Sequence, residues 1–472
     1  MFDNTFLNVG EKFPPESEKE RLDLYEINKR LWNGEHDVVF AQRRYTLIQE
    51  NKASIEFNFN WNKRLSVLFA DLLLGEPPHI KVGDEGSKEQ DFLNSILEAT
   101  EFLDVAYKVA IDMHRYGSGI FKTYIEDSIL NIQCLPPDIW FPVVDRSNIN
   151  KVLEHVICIP DIKEETQTSY NLFVEEHFKG KIIYKTLAVK DGKISRILEQ
   201  REEETGIDDF LIVDVENLST SDEFIGKDDY GDLDTIISEL EARFTQRAKI
   251  LDKHSDPNMS GPRTAIKKDA HTGETQVDIG GGKYFPRSPG DVEVQYVVWD
   301  GQLSAVNQEI IDLMEQLYAV SETCPALFGQ LKQGLAESGS ALKRLLISPL
   351  AKVNRLRKYL DPAMKKILFI ASELASKNGL TDAVQFDKSK IAIDWQDGLP
   401  NDMTEAIANE ATAVSAGLSS KESSIKRLYG FEGDALFQEL NKIEEEKIET
   451  QPPPPEVEMP TIEEREKILS AK

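Results

Sequence analysis

DLDTIISELEARFTQRAKILDKH at residues 232–254 and SAVNQEIIDLMEQLYAVSE at residues 304–322 are two amphipathic helices of similar length. In the first, Leu233, Ile236, Ile237, Leu240, Phe244 and Leu251 form one apolar stripe. Asp232 stands where an N-cap is wanted, and His254-Ser255-Asp256-Pro257 stops the run. At the usual rise per residue this helix is roughly 30 Å long. In the second, Ser304 offers the cap and Val306, Ile310, Leu313, Met314 and Leu317 make the stripe. Residues 256 to 303 between them are turn-rich, punctuated by Gly261-Pro262, Gly273 and Gly280-Gly281-Gly282, with one strand expected at Val294–Trp299. Antiparallel pairing of the helices would project that unit at their far end. A plain helical hairpin inside a globular core fits the same pattern.

Upstream, Leu22, Leu24, Tyr25, Ile27 and Leu31 recur at helical spacing and stop at Asn33-Gly34. A helix is expected from Phe59 to Leu74, broken by Gly75-Glu76-Pro77-Pro78, and another from Phe92 to Tyr116, ending at Gly117-Ser118-Gly119. Short β-branched and aromatic runs then alternate with turns: Ile120–Ile125, Val152–Ile159, Asn171–Phe178, Lys181–Val189 and Phe210–Val215. They predict an antiparallel meander, with Lys190-Asp191-Gly192-Lys193 as a tight hairpin. Leu218 to Gly231 is an acidic loop.

Downstream, TCPALFGQLKQGLAESG at residues 323–339 is loop-like. Ala341 to Asn378 predicts a long helix, in which Pro349 makes a kink or an early turn. That stretch has nine Lys or Arg against only Asp361 and Glu373, so it is basic within an acidic chain. Ile391–Trp395 predicts a strand and Asp402 to Lys447 further helix, before Gln451-Pro452-Pro453-Pro454-Pro455 opens an acidic tail. No repeat of fixed period is visible. The fold class expected is α+β, mainly helical.

The chain has 472 residues, enough for several packing units. Its formal net charge of -28 argues against a surface that grips nucleic acid, because such binding rests on Lys and Arg neutralising phosphates. It does not argue against a wall that DNA slides past. Cys134, Cys158 and Cys324 are odd in number and form no CxxC pair, which favours a reducing compartment. The N-terminus lacks the basic flank and apolar run of a signal peptide, and no apolar stretch approaches the roughly 20 residues of a membrane span. A soluble, cytoplasmic product is expected, with no membrane contact.

Enzyme motifs are missing. Gly282-Lys283 follows a glycine pair, but Val277 stands where a P-loop needs its first Gly and Tyr284 replaces Ser or Thr. Gly117-Ser118-Gly119 lacks the first Gly of a nucleophile elbow, since Tyr116 occupies that place. The seven His show neither HExxH spacing nor a Cys/His cluster, so neither metal nor other cofactor is expected.

Several stretches together resemble the portal family of phages with long non-contractile tails. They are the helix from Arg21-Leu22 to Trp32-Asn33-Gly34, then Asn60–Leu74 with Gly75-Glu76-Pro77-Pro78, and Gly117-Ser118-Gly119 with Phe121-Lys122. Leu135-Pro136-Pro137-Asp138, Val298-Trp299-Asp300, Glu337-Ser338-Gly339-Ser340-Ala341-Leu342-Lys343 and Trp395-Asp397-Leu399-Pro400 follow in order. The resemblance implies a portal fold assembling as a ring, usually of twelve subunits. Residues 1–230, completed by 379–397, would be the wing. Residues 231–255 and 304–322 would be the stem helices, 256–303 the clip between them and 323–340 the tunnel loop. Residues 341–378 would be the long wing helix, 398–447 the crown and 448–472 a flexible acidic tail.

The same resemblance implies a non-enzymatic conduit for double-stranded DNA at one capsid vertex of the virion, assembled in the host cytoplasm. Its partners would be the terminase large subunit, a head-completion or adaptor protein, and the major capsid and scaffolding proteins. Gln330, Lys332, Gln333, Glu337 and Ser338 would face DNA, although Lys332 can equally be a solvated cation. Arg263, Lys267, Lys268, Lys283, Tyr284 and Arg287 would meet partners at the clip, or be ordinary surface. The basic helix 341–378 would either face DNA or, as an assembly this acidic favours, pair through Arg355, Arg357 and Lys358 with acidic surface of a neighbouring subunit, fixing register. Two other readings stay open: an acidic scaffold or adaptor without a channel, and a nuclease with dispersed carboxylates.

Overall fold

The computed structural model describes residues 3–45, 57–84, 86–161, 169–255, 259–262, 267–268, 275–276, 284–288, 290, 303–330, 344–396, 403–431 and 433–450. They fall into two units, Met1–Gly398 and Leu399–Lys472. Helix α1 (Lys19–Asn33) closes on Gly34, whose φ of 84° lets its amide reach back to Arg30 and Leu31. Helix α2 (His36–Tyr45) follows, and α3 (Trp61–Leu74) starts where the Asn60 side chain accepts from the Lys63 amide. After strand β1 (His79–Val82) come α4 (Lys88–Ala99) and α5 (Phe102–Tyr116). One helix was expected over Phe92 to Tyr116, and there are two. The Thr100 hydroxyl donates to Ile96 O at 2.8 Å and Glu101 turns to φ 48°, which ends the first. The first also begins earlier, because the Ser87 side chain accepts from the Gln90 amide.

The β region is two sheets rather than one meander. Its strands are β2 (Ser118–Glu126), β3 (Ile129–Leu135), β4 (Trp140–Asp145), β5 (Asn148–Asp161), β6 (Ser169–Phe178), β7 (Lys181–Lys190), β8 (Lys193–Glu204) and β9 (Ile212–Glu216). A three-stranded sheet has order β3-β2-β9, and a five-stranded antiparallel meander runs β4-β5-β6-β7-β8. The division falls at Leu135-Pro136-Pro137-Asp138, where the chain makes a short 3-10 turn and the prolines offer no amide to continue a ladder. The hairpin at Lys190-Asp191-Gly192-Lys193 forms as expected, with Lys190 opposite Lys193 and positive φ at both central residues. Strands β4 and β8 show no alternation: β4 is buried through Val144, and β8 is exposed everywhere except Ile194.

Helix α6 (Asp234–Ser255) begins two residues beyond Asp232, which lies in a turn. Short strands follow: β10 (Met259–Pro262) runs parallel to β13 (Tyr284–Arg287), and β11 (Lys267–Lys268) antiparallel to β12 (Thr275–Gln276). The strand expected at Val294–Trp299 lies outside the described residues. Helix α7 (Leu303–Val320) begins one residue before Ser304. Arg243 pairs with Glu309 at 2.9 Å and Arg247 donates to Asn307 at 3.1 Å, so α6 and α7 are antiparallel. Ser255 and Leu303 therefore share one end of the pair.

Helix α8 (Ile347–Lys377) is the longest among the described residues, at 31 residues. Pro349 sits in its first turn, after a turn at Leu346, where a missing amide costs no helical bond. The proline inside the helix is Pro362. Strand β14 (Ile391–Asp394) returns to pair antiparallel with β1. The main core packs α3, α4, α5 and α8 against the three-stranded sheet, through Phe102, Val109, Met113, Phe121, Leu360, Met364 and Ile367, all fully buried. In the second unit, α9 (Met403–Ser415), α10 (Lys421–Tyr429) and α11 (Gly433–Thr450) follow one another. There the Glu410 carboxylate receives Arg427 through two nitrogens at 2.8 Å and the Ser424 hydroxyl at 2.7 Å.

The chain passes from α5 into β2 through a contact that excludes side chains. A Cβ on Gly117, at φ 78°, would lie 2.1 Å from Gly226 O, and one on Gly226 would lie 2.2 Å from Asn217 O. Gly117→Ala and Gly226→Ala are each expected to destabilise the protein by at least about 2 kcal/mol. The check is a thermal melt followed by circular dichroism, and unchanged midpoints for both variants would refute this account of the turn.

Candidate functional site

The root of the helix pair is fastened by charge: the buried His114 and Lys352 side chains meet on Asp229, which keeps 24% of its side chain exposed. The Asp229 amide donates to His114 O at 2.9 Å. Its carboxylate receives His114 Nδ1 and, at 3.1 Å, Lys352 Nζ. The Phe69 ring stacks on His114 with centroids 5.2 Å apart, and the Lys352 ammonium lies 4.3 Å from the Phe69 centroid. Burial alone would raise the Asp229 carboxyl; the Lys352 ammonium and the His114 imidazole outweigh it and hold it well below the ordinary range. Next along the chain, the buried Tyr230 shares a hydrogen bond with Ser66 at 2.9 Å, and burial pushes its phenol up. One segment thus ties α3, α5 and α8 to the start of α6.

A second buried pair lies further along α6. His36 Nδ1 is 2.7 Å from Glu241 Oε1, both side chains fully buried, and His36 Nε2 is 3.1 Å from Leu31 O. A carbonyl cannot donate, so Nε2 carries a proton. The proton between Nδ1 and Oε1 then leaves the pair neutral overall, whichever atom holds it. The Phe59 amide donates to the same Glu241 oxygen at 3.3 Å.

At the other end of α7 the chain enters the loop. Glu322 takes φ 58° and pairs with Arg355 of α8, and the Ser321 and Thr323 hydroxyls are 2.7 Å apart. A 3-10 turn at Pro325–Phe328 sets the Phe328 ring edge-on to Trp61, centroids 5.3 Å apart. Beside it, Phe59, Trp61, Phe244, Ile310, Ile311, Met314 and Tyr318 line an open apolar groove of about 580 Å³. Ile311 is 51% exposed and Phe59 41%.

Of the loop residues expected to face DNA, Gln330 is exposed at the mouth of this groove. Lys332, Gln333, Glu337 and Ser338 lie outside the described residues, as do Arg263 and Lys283. Lys267 and Lys268 stand opposite Gln276 and Thr275; Tyr284 and Arg287 stand opposite Met259 and Pro262. The basic residues of α8 are largely engaged within the chain. Lys352 holds Asp229, Arg355 holds Glu322, and Lys365 pairs with Asp361 at 2.7 Å. Arg357 donates to Gln396 O and lies 5.3 Å from the Trp395 centroid, whereas Lys358 is exposed. Neither Asp229, Lys352 and His114 nor His36 and Glu241 carry a local sequence signal, because each set joins residues far apart in the chain.

No cluster of three or more His, Cys, Asp or Glu among the described residues has the geometry to hold a metal ion. No helix among them is long and apolar enough to cross a membrane. What the fold defines is an α+β body with an antiparallel helix pair tied to it by charge. The chain belongs to the phage portal proteins of the SPP1 Gp6-like family, whose model matches residues 12–453. The family is structural rather than enzymatic, and its members stand at a capsid vertex. No individually curated protein matches the chain.

Lys352→Met leaves the Asp229 carboxylate half-paired and is expected to cost about 3 kcal/mol. Because the Asp229 carboxyl lies below its ordinary 3.8, its contribution is complete above that value and is lost as pH falls toward the folded one. Urea unfolding of wild type should therefore become easier through that acid range, and Asp229→Asn should remove this part of the slope.

Proposed function

We propose that this chain forms the portal ring of a tailed phage, the passage for double-stranded DNA during packaging and ejection. The observation that carries the reading is the family match over residues 12–453 of 472. In this reading residues 1–230 with 379–397 are the wing, α6 and α7 the stem, and 256–303 the clip. Residues 323–340 are the tunnel loop, 341–378 the wing helix and 398–447 the crown. The pairing of β1 with β14 supports assigning 379–397 to the wing, since it joins that segment to the N-terminal region by backbone bonds.

The antiparallel stem presents the clip at one end, where the terminase large subunit and later a head-completion protein dock. Arg263, Lys267, Lys268, Lys283, Tyr284 and Arg287 supply polar and aromatic contacts there. The wing meets the capsid and scaffolding proteins. The apolar groove along the stem receives the neighbouring subunit, which removes Ile311 and Phe59 from water. Twelve subunits are expected. Among the basic residues assigned to the subunit interface, Lys358 reaches a neighbour most directly, because Arg355 and Arg357 already hold internal partners.

The net charge of -28 suits a wall that DNA slides past rather than a surface that grips it. Energy for movement comes from the separate motor. The loop at Gln330, Lys332, Gln333, Glu337 and Ser338 forms the constriction, with the Glu322–Arg355 pair anchoring the residue just before it to α8.

Negative-stain imaging with particle mass measurement should show rings of about twelve subunits around a central hole, the usual portal number implied by this reading. A closed dimer or tetramer without a channel would instead favour an acidic scaffold. Deleting residues 330–336 should leave rings intact while DNA filling or retention falls. Normal filling by that variant would remove the loop from the mechanism.

A further inference from the structure

The N-terminal residues form a strap whose seat contains more acid than base. Phe6, Leu7 and Phe13 are buried on one face of the five-stranded sheet, among Phe141, Val156 and Leu172. The arm is also tied to the β7–β8 hairpin. Gly10 N donates to Ile194 O at 2.8 Å, Phe13 N to Gly192 O at 3.0 Å, and Ile194 N to Glu11 O at 2.9 Å. Residues 3–11 precede the family match, which begins at residue 12.

Beneath the start of the arm lie Glu154, 4% exposed, and Glu176, 1% exposed. A single amide nitrogen, Asn4 Nδ2, is 3.3 and 3.2 Å from the two Glu154 oxygens and 3.2 Å from Glu176 Oε1. It has only two protons for these three acceptors. Lys185 from β7 gives its ammonium to Glu176 at 2.7 Å. Among the described residues, Asn4 is the hydrogen-bond partner of Glu154. The other groups facing the pocket are the buried Cys158 thiol from β5 and, at the rim, Asp3 of the arm paired with Arg146 at 3.5 Å. Two carboxylates and one ammonium therefore share a seat closed by the arm.

We propose that the arm, residues 3–18, is a proton-dependent strap, closed over the sheet while Glu154 holds a proton and released as Glu154 ionises. The unmatched carboxylate is Glu154, because Lys185 is engaged by Glu176. Of two buried carboxylates sharing one ammonium, the one not bonded to it favours its protonated form. Lifting Asn4 and Phe6 admits water, and the ionised form becomes stable. In the closed state burial, and then the charge of Glu176, outweigh the Asn4 hydrogen bond and the nearby Lys185 ammonium and push the Glu154 carboxyl up from 4.5 to about 7. The sign follows from linkage. Between those two values the closed arm binds a proton that the open arm lacks, so closure is complete in acid and weakens as pH rises. Above the upper value both states are ionised and the dependence levels off.

The test is amide hydrogen exchange of the full chain between pH 5 and 8.5, corrected for intrinsic exchange and read on peptides covering residues 5–14. Opening of the wild-type arm should rise by up to about tenfold per pH unit below the upper value and then flatten. Peptides from β2 and β3 should show no such trend. Glu154→Gln, which is neutral at every pH, should keep the arm closed with a flat profile. Phe6→Ala should open it across the whole range. A flat wild-type profile, or an unchanged slope in Glu154→Gln, would overturn the proton dependence. Exchange unaffected by Phe6→Ala would overturn the strap itself.

Discussion

The carboxylate of Asp229 is the point on which the architecture turns. It meets an imidazole from α5 and an ammonium from α8, while its backbone amide bonds to the last turn of α5. The ammonium also rests on the face of Phe69 from α3. Ions withdrawn from water are stable only as complete sets, so the three elements have one arrangement that satisfies them. Helix α6 starts a few residues later and inherits its direction from that arrangement. The hydrophobic contacts around it supply most of the cohesion, but apolar surfaces tolerate sliding. The charged root does not.

Polar pairs also join α6 and α7 to the neighbouring helices. His36 and Glu241 fasten the middle of α6 to α2, and Glu322 with Arg355 fastens the end of α7 to α8. These pairs lie where α6 and α7 meet the helices beneath them. They also explain how a strongly acidic chain can carry a basic helix. Lys352, Arg355 and Lys365 of α8 each neutralise a carboxylate within the chain.

The organisation of the chain was largely legible. The apolar stripes of α6 and α7, the breaks at Gly34, Gly75 and Gly117, and the hairpin at Asp191-Gly192 all act over a few residues, where spacing and backbone freedom decide the outcome. The family resemblance was legible for the same reason, since its segments are local. Strands β4 and β8 were not. The first is buried on both faces through most of its length and the second is exposed along nearly all of its own, so neither alternates. The loop and clip residues carry no spacing signal of their own, and Lys332, Gln333, Glu337, Ser338, Arg263 and Lys283 lie outside the described residues.

By itself the sequence determined the helical periods, the turn positions, the acidic balance and the absence of familiar catalytic motifs, because each depends on neighbours within one or two turns. Tertiary structure alone decided that the β region splits into two sheets, that β14 returns to β1, and that Lys352 rather than another lysine neutralises Asp229. Those outcomes depend on which distant groups are brought together and deprived of water. A charge in a sequence has no partner until folding removes its solvent.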